Sequence, residues 1–402
     1  DLYNLFFISD FIFPLRRGIK GEDIYLMKII MRNIILFWAS CWCVLSFLFL
    51  PFPFSFLPEI GIELSRLILP LNTLICSWFG ISIRESFLIS DSLAFYSTGI
   101  LLFFLSGIIT LFISRKERHL FTNIQTGFFF TLILLLAYFL IRYGLDKLFG
   151  RQFYTPASNT LHTPAGQLGK DLLFWTSMGT SSFYNSFMAI TEISAGAFLL
   201  FNRTRFLGLI LSFGILLNVF AINIGFDITV KYLSGLLVIS CIVCLFFYDS
   251  RLKFLIYGKV SEQVQPTLAK TWTFLLFTPF LADLIASYWQ NPPNESGKSY
   301  SVQSLVTGAE FIAASEVTRI HFHPRGYFIT ENQQQQFTSF KLSEDKRYLL
   351  INQQAVSVSI TKETLLLKYG NDSIEWKVAE INLDKLPLKQ DKTHWYFELI
   401  RE

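Results

Sequence analysis

The residues best placed to do chemistry are ionisable side chains that fall inside, or at the ends of, long apolar runs. Glu192 lies deep in the run Ser182–Phe201. Burying a charge at mid-bilayer costs about 2.5–3.5 kcal/mol on insertion scales, so a carboxyl there is expected to be protonated or paired with a cation. Arg142 and Asp146 stand one helical turn apart at the end of the run Phe121–Ile141, with Lys147 beside them. Asp227 and Lys231 repeat the four-residue spacing at the mouth of Tyr232–Tyr248, a geometry that pairs charges on one helix face. Asn218 and Asn223 add neutral hydrogen-bonding groups, and Trp175 adds an aromatic ring within the segment Arg151–Thr180. If the helices bring these nine residues together, an acid, cations, amides and an indole line one pocket. Such a lining suits a quinone ring, a lipid head group or another small polar ligand with an apolar tail. The alternative for Arg142, Asp146, Asp227 and Lys231 is that they staple helix ends at the membrane interface.

Other motifs point less sharply. Cys241 and Cys244 form a Cys-x-x-Cys in the middle of an apolar run, with Cys41 and Cys43 in the first run. Redox-active pairs need an exposed helix start that lowers the thiol pKa, so packing is the expected role and a transmembrane relay the alternative. His321 and His323 alternate on one face of a predicted strand, yet no further ligand at metal spacing completes the set. A phosphate-cradling glycine loop, a nucleophile elbow and a zinc-protease helix are all missing from the sequence. The expectation is therefore an accessory or binding subunit rather than a self-contained enzyme, without a metal.

The elements that must carry these residues follow from composition. Of 402 residues, 52% are apolar and 16% charged, and the mean hydropathy of +0.44 is too high for a water-soluble core to absorb. About seven runs approach the length needed to cross ~30 Å of hydrocarbon, near residues 33–52, 93–114, 121–141, 182–201, 206–224, 232–248 and 271–289. The run 61–84 is broken by Pro70, Asn72 and Gly80, and reads as re-entrant or interfacial. Counting it out places every basic cluster on one side: Arg16 to Arg32, Arg115 to Arg118, Arg203 with Arg205, and Arg251 to Lys270. By the positive-inside rule that side is cytoplasmic, so the N-terminus is expected inside and the C-terminal region outside. The chain begins at Asp1, which leaves open whether residues precede it.

Three regions result: an interfacial or cytoplasmic segment 1–26, a membrane domain 27–290, and a β-rich domain 291–402. From Asn294 onward thirteen Lys or Arg face fourteen Asp or Glu, a balance that offers no surface to nucleic acid. A short helix is expected around Val302–Ser315. Period-two runs then predict strands at Arg319–Thr330, Phe337–Leu342, Arg347–Asn352, Ala355–Ile360, Thr364–Tyr369, Ser373–Val378 and Thr393–Ile400. The fold class is an all-α polytopic membrane bundle followed by a small all-β sandwich or barrel.

The stretch from about Tyr138 to Leu252 resembles the DoxX-like membrane proteins. The matching residues are Arg142, Tyr143, Gly144 and Lys147, then Phe149, Gln152, Phe153 and Pro156. Trp175, Met178 and Gly179 follow, then Glu192 and Gly196, Phe201, Arg203, Thr204 and Gly208, and the segment Asn223–Lys231. The resemblance implies a four-helix membrane core, here the third to sixth runs, and a redox setting such as quinone or thiosulfate oxidoreduction or a thiol-oxidoreductase assembly. An exposed Cys-x-x-Cys is lacking, a departure from the redox-active members. Together these readings predict a bacterial inner-membrane protein that binds a quinone or lipid in the outer half of its bundle. The rival expectation is a non-catalytic subunit of a cell-envelope complex, in contact with lipid and with protein partners through its periplasmic β domain.

Overall fold

The computed structural model describes residues 21–50, 66–67, 69–80, 91–252, 277–285, 297–308, 313–343, 345–351 and 354–389. They fall into two compact units, Asp1–Gly144 with Ile190–Asn291 and Leu145–Ala189 with Pro292–Glu402. The sequence reading assigned residues 145–189 to the membrane domain, whereas they cluster with the C-terminal region. The predictions at Leu5–Pro14 and Thr393–Ile400, and most of the run 271–289, lie outside the described residues.

The first unit is helical. Its elements are α1 (Gly21–Phe49), α2 (Leu69–Trp78), α3 (Leu93–Ser114), α4 (Arg118–Leu148), α7 (Ser182–Leu200), α8 (Arg205–Gly225) and α9 (Lys231–Phe246), with a helical segment α10 at 277–285. The end of α4 and the start of α7 belong to the second unit, as do α5 (Ser158–His162) and α6 (Lys170–Gly179). Among the described residues four helices are long and apolar enough to cross a membrane: Met27–Phe49, Leu93–Ser114, His119–Leu148 and Arg205–Gly225. The Lys231–Phe246 helix is apolar but shorter. At ten residues, α2 spans about 15 Å, half a bilayer.

Each face of α3 shows why a bilayer is needed. Ile100, Phe104, Ile108, Leu111 and Phe112 are exposed at three- and four-residue spacing, a continuous apolar stripe. The opposite face meets α1, where the indole N–H of Trp38 donates to the Phe103 carbonyl at 2.9 Å and that of Trp42 to the Gly99 carbonyl at 3.0 Å. Asn72 of α2 is fully buried. It donates to Thr98 at 2.6 Å and accepts from Ser97 at 3.0 Å.

Basic residues from separate segments gather at one end of this unit. Arg32 pairs with Asp249 at 2.8 Å, Arg251 lies over Tyr248 and Phe206, and Arg205, at the start of α8, is fully buried over Phe130. At the other end Asp91 caps α9, accepting the Lys231 and Tyr232 backbone N–H groups at 2.8 and 2.9 Å.

The second unit contains a closed, up-and-down antiparallel barrel: β1 (Lys298–Thr307), β2 (Val317–His323), β3 (Tyr327–Asn332), β4 (Phe337–Leu342), β5 (Tyr348–Ile351), β6 (Gln354–Ile360), β7 (Thr364–Tyr369) and β8 (Asp372–Glu380). Closure removes the sheet's open edges. Inward-facing Ile320, Phe328, Leu349, Val356, Leu367, Ile374 and Trp376 form a packed core. Trp376 donates its indole N–H to the Ala314 carbonyl at 3.0 Å, tying the β1–β2 connection to the barrel.

Two sequence expectations are corrected here. Of the helix expected at Val302–Ser315, Val302–Thr307 instead belong to strand β1, Ala314–Glu316 form a 3-10 turn and residues 309–312 lie outside the described residues; the register of β1 shifts twice against β8, between Val302 and Ser304 and between Leu305 and Thr307. Each bulge bends the strand toward closure and resets its alternation, so the period-two signal disappears from the sequence. The single strand Arg319–Thr330 is two, β2 and β3, folded back at Pro324–Gly326. Gly326 sits at φ +78° there, a conformation that L side chains avoid.

Candidate functional site

A buried polar cluster joins α4 to α10. Tyr138 is fully buried on α4, and Asp283 on α10 is 1% exposed. The Tyr138 hydroxyl donates to Asp283 Oδ2 in a short hydrogen bond. One turn further along α4, the Arg142 guanidinium donates to the Tyr138 oxygen at 2.5 Å and to Asp283 Oδ2 at 3.1 Å. The i, i+4 spacing stacks Tyr138 and Arg142 on one helix face. Asp283 uses only one oxygen in these bonds. Its Oδ1 is buried and has no hydrogen-bond partner among the described residues, although a buried carboxylate normally accepts on both oxygens.

Glu192 is 2% exposed on α7. One turn later, Gly196 packs against α4 so closely that a Cβ there would lie 2.8 Å from Ile141 Cγ1 and 3.0 Å from the Ala137 carbonyl oxygen. Helical periodicity puts Glu192 on the same face of α7 as Gly196, so a carboxyl on one helix and the Tyr138–Arg142 turn on the other flank a close helix crossing.

The other predicted residues distribute elsewhere. Asp227, at φ +55°, pairs with Lys231 at 2.8 Å and is mostly exposed, matching the helix-stapling alternative. Asn223 is buried, with its Nδ2 unpartnered among the described residues, whereas Asn218 is exposed on α8. In the second unit Lys147 is buried and its ammonium lies over the Phe153 ring at 5.4 Å. Trp175 packs on the same ring at 5.2 Å. The Asp146 carbonyl accepts the Arg151 and Gln152 N–H groups at 2.8 and 3.1 Å, closing the C-terminal end of α4. All five cysteines are buried free thiols, and no group of three or more metal-ligating side chains occurs among the described residues.

A second buried network lies on the outer face of the barrel, beneath α5. Ser299 Oγ and His321 Nδ1 are 2.7 Å apart, His321 Nε2 and Glu331 Oε2 are 3.2 Å apart, and Arg319 donates to Glu331 Oε1 at 2.7 Å. Ser299, His321 and Glu331 are all fully buried. The His162 ring of α5 packs on His321 at 5.4 Å. With Arg319 already neutralising Glu331, a neutral imidazole that donates from Nε2 and accepts from Ser299 leaves no net buried charge from this ring. Burial, together with His162 and Arg319, pushes the His321 pKa down to about 3.

Sequence reasoning missed Asp283 and the Ser299–His321–Glu331 network. The signal for Asp283 was present, since it is an acid within the apolar run 271–289, the same criterion that selected Glu192. The signal for the network was not, because it depends on cross-strand register.

Neither a family model nor a solved structure matches the chain. Over 117 residues it is 36% identical to the Uncharacterized protein YwoB of Bacillus subtilis (strain 168), a match that covers 29% of this chain and 73% of YwoB. The chain belongs to the YwoB family. The YwoB likeness carries no activity with it, so the chemistry rests on the clusters described above, and the DoxX-like resemblance rests on its quoted residues.

Proposed function

We propose that this membrane protein binds a small amphipathic ligand, a quinone in first place, with the polar head at the Tyr138–Arg142–Asp283 cluster. The observation that carries the reading is the unshared Asp283 Oδ1. A buried acceptor without a donor is costly, and a ligand hydroxyl would satisfy it while Arg142 donates to a ligand carbonyl. Glu192, a buried acid on the facing helix, supplies a second proton-exchanging group. The exposed apolar stripe of α3 supports a bilayer setting, and the clustering of Arg32, Arg205 and Arg251 supports an orientation with that end cytoplasmic and the barrel outside, as in a bacterial inner membrane.

The test is organic extraction and mass spectrometry of the full chain purified in mild detergent. Wild-type protein should carry a quinone or a polar lipid in near-stoichiometric amount, and Asp283→Asn and Glu192→Gln should lose most of it. Equal retention by both variants, or a wild type that carries nothing, would refute the reading. The rival, a partner-docking subunit, draws support from Tyr327, Tyr348 and Leu350, exposed on the outside of the barrel. Stable co-purification of another subunit with an unliganded wild type would favour it.

A further inference from the structure

We infer that α8 is a dimerisation face, and that the partner seated on it is the same helix of a second copy of this chain. The helix has 21 residues and is the least buried of the four membrane-length helices among the described residues. Its inner face holds the buried Leu209, Ser212, Leu216 and Asn223. On its outer face Leu207, Leu211, Gly214, Asn218, Ala221 and Gly225 are exposed. Their spacing alternates between four and three residues, the 3.5-residue repeat that holds one seam against a partner helix along its whole length.

Asn218 separates this seam from an ordinary lipid-facing stripe. The residue is exposed, and its carboxamide forms no hydrogen bond with any described residue. It follows the start of α8 by about 20 Å and precedes the end by about 10 Å at 1.5 Å per residue, a depth from which so short a side chain reaches neither head-group layer. Hydrocarbon offers an amide neither donor nor acceptor, and leaving it unpaired there is costly. A polar side chain at this depth is satisfied by hydrogen bonds across a helix–helix contact.

A second copy meets that need by identity. Copies inserted with one topology meet with their α8 helices parallel, so the two Asn218 side chains stand at the same depth across a two-fold axis. A carboxamide is its own complement, the NH2 of each donating to the carbonyl oxygen of the other. The six seam residues carry no charge that would repel a copy. Gly214 lies one turn before Asn218 and Gly225 two turns after it, and a Cβ at either would meet nothing within 4 Å, so both leave room for a close backbone approach. An unlike subunit would have to bring its own amide to the same depth.

The experiment counts subunits of the full, fluorescently tagged chain in proteoliposomes, by single-molecule photobleaching over a range of lipid-to-protein ratios. A reversible dimer is expected. Asn218→Leu should weaken it about tenfold, the scale of one interhelical hydrogen bond, and Gly214→Ile at least as much, while Asn218→Gln keeps an amide and should recover much of the loss. Oxidative cross-linking in the same membranes reads the geometry without touching Asn218. The five native thiols are buried, so the wild type should give no covalent dimer. Gly225→Cys, on the seam, should give one. Ile224→Cys, exposed at nearly the same depth but turned about 100° around the helix, should not. A monomer at every density, a stoichiometry above two, equal cross-linking at positions 224 and 225, or wild-type dimerisation in both Asn218→Leu and Gly214→Ile overturns the inference. So does a different subunit bound along α8 in place of the copy.

Discussion

Acidification should loosen the barrel through His321. The imidazole is fully buried, and its pKa falls from 6.5 to about 3 in the folded chain. The unfolded chain therefore takes up a proton between those values that the folded chain refuses. Stability from this group is complete above pH 6.5 and is lost as pH falls toward 3, at about 1.4 kcal/mol per pH unit. From pH 7.5 to 4.5 the loss is about 2.7 kcal/mol, roughly a hundredfold increase in the opening constant. Hydrogen-exchange mass spectrometry on the full chain reads this locally, in peptides covering β2 and β3, once times are scaled for the intrinsic pH dependence of exchange. The His321→Gln variant keeps hydrogen-bonding capacity without a titrating group, so the difference in slope between it and the wild type isolates His321. Parallel slopes would show that the ring does not titrate with opening. Wild-type protection that increases on acidification would mean an imidazolium paired with Glu331, the opposite charge state.

Three further outcomes are expected. Asp283→Ala removes the carboxylate that Tyr138 and Arg142 share and should cost about 3 kcal/mol, the scale for breaking a buried ion pair, read as a lower melting temperature in detergent; an unchanged melt would show that the pair contributes nothing. Gly196→Leu must displace Ile141 and the Ala137 carbonyl, an overpacking penalty of about 1–3 kcal/mol; a double variant with Ile141→Ala should recover only part, since the carbonyl cannot retreat. Trp376→Phe removes the bond to Ala314 and some core volume, about 2 kcal/mol, visible as faster amide exchange in β1 and β8.

The sequence was most legible where one period ran uninterrupted. α3 coincides with its predicted run because no polar residue breaks the stripe from Ile100 to Phe112, and in β7 the buried Leu365 and Leu367 alternate with the partly exposed Thr364 and Leu366. Where the backbone departs from regularity, the pattern failed. Two bulges hid β1, and one turn at Gly326 merged β2 with β3. Among the site residues, a four-residue spacing found real neighbours in Asp227 and Lys231, although the pair bridges the turn between α8 and α9 and does not lie within one helix. Partners from distant segments were invisible: Arg142 and Asp283 are separated by 141 positions, and only a folded chain brings them together.

The barrel's hydrogen-bond belt has an uneven weave. Among the described residues most neighbouring strands share four or more paired positions, but β4 and β5 share two, Lys341 with Leu350 and Leu342 with Leu349, followed by one bond from the Ser343 N–H to the Tyr348 carbonyl at 2.8 Å. When the domain breathes, this seam is the one that unzips with the fewest bonds broken. Parting it would bare two raw strand edges that the closed form conceals. Stitching the seam shut would then protect the domain from edge-to-edge aggregation more effectively than any added core volume.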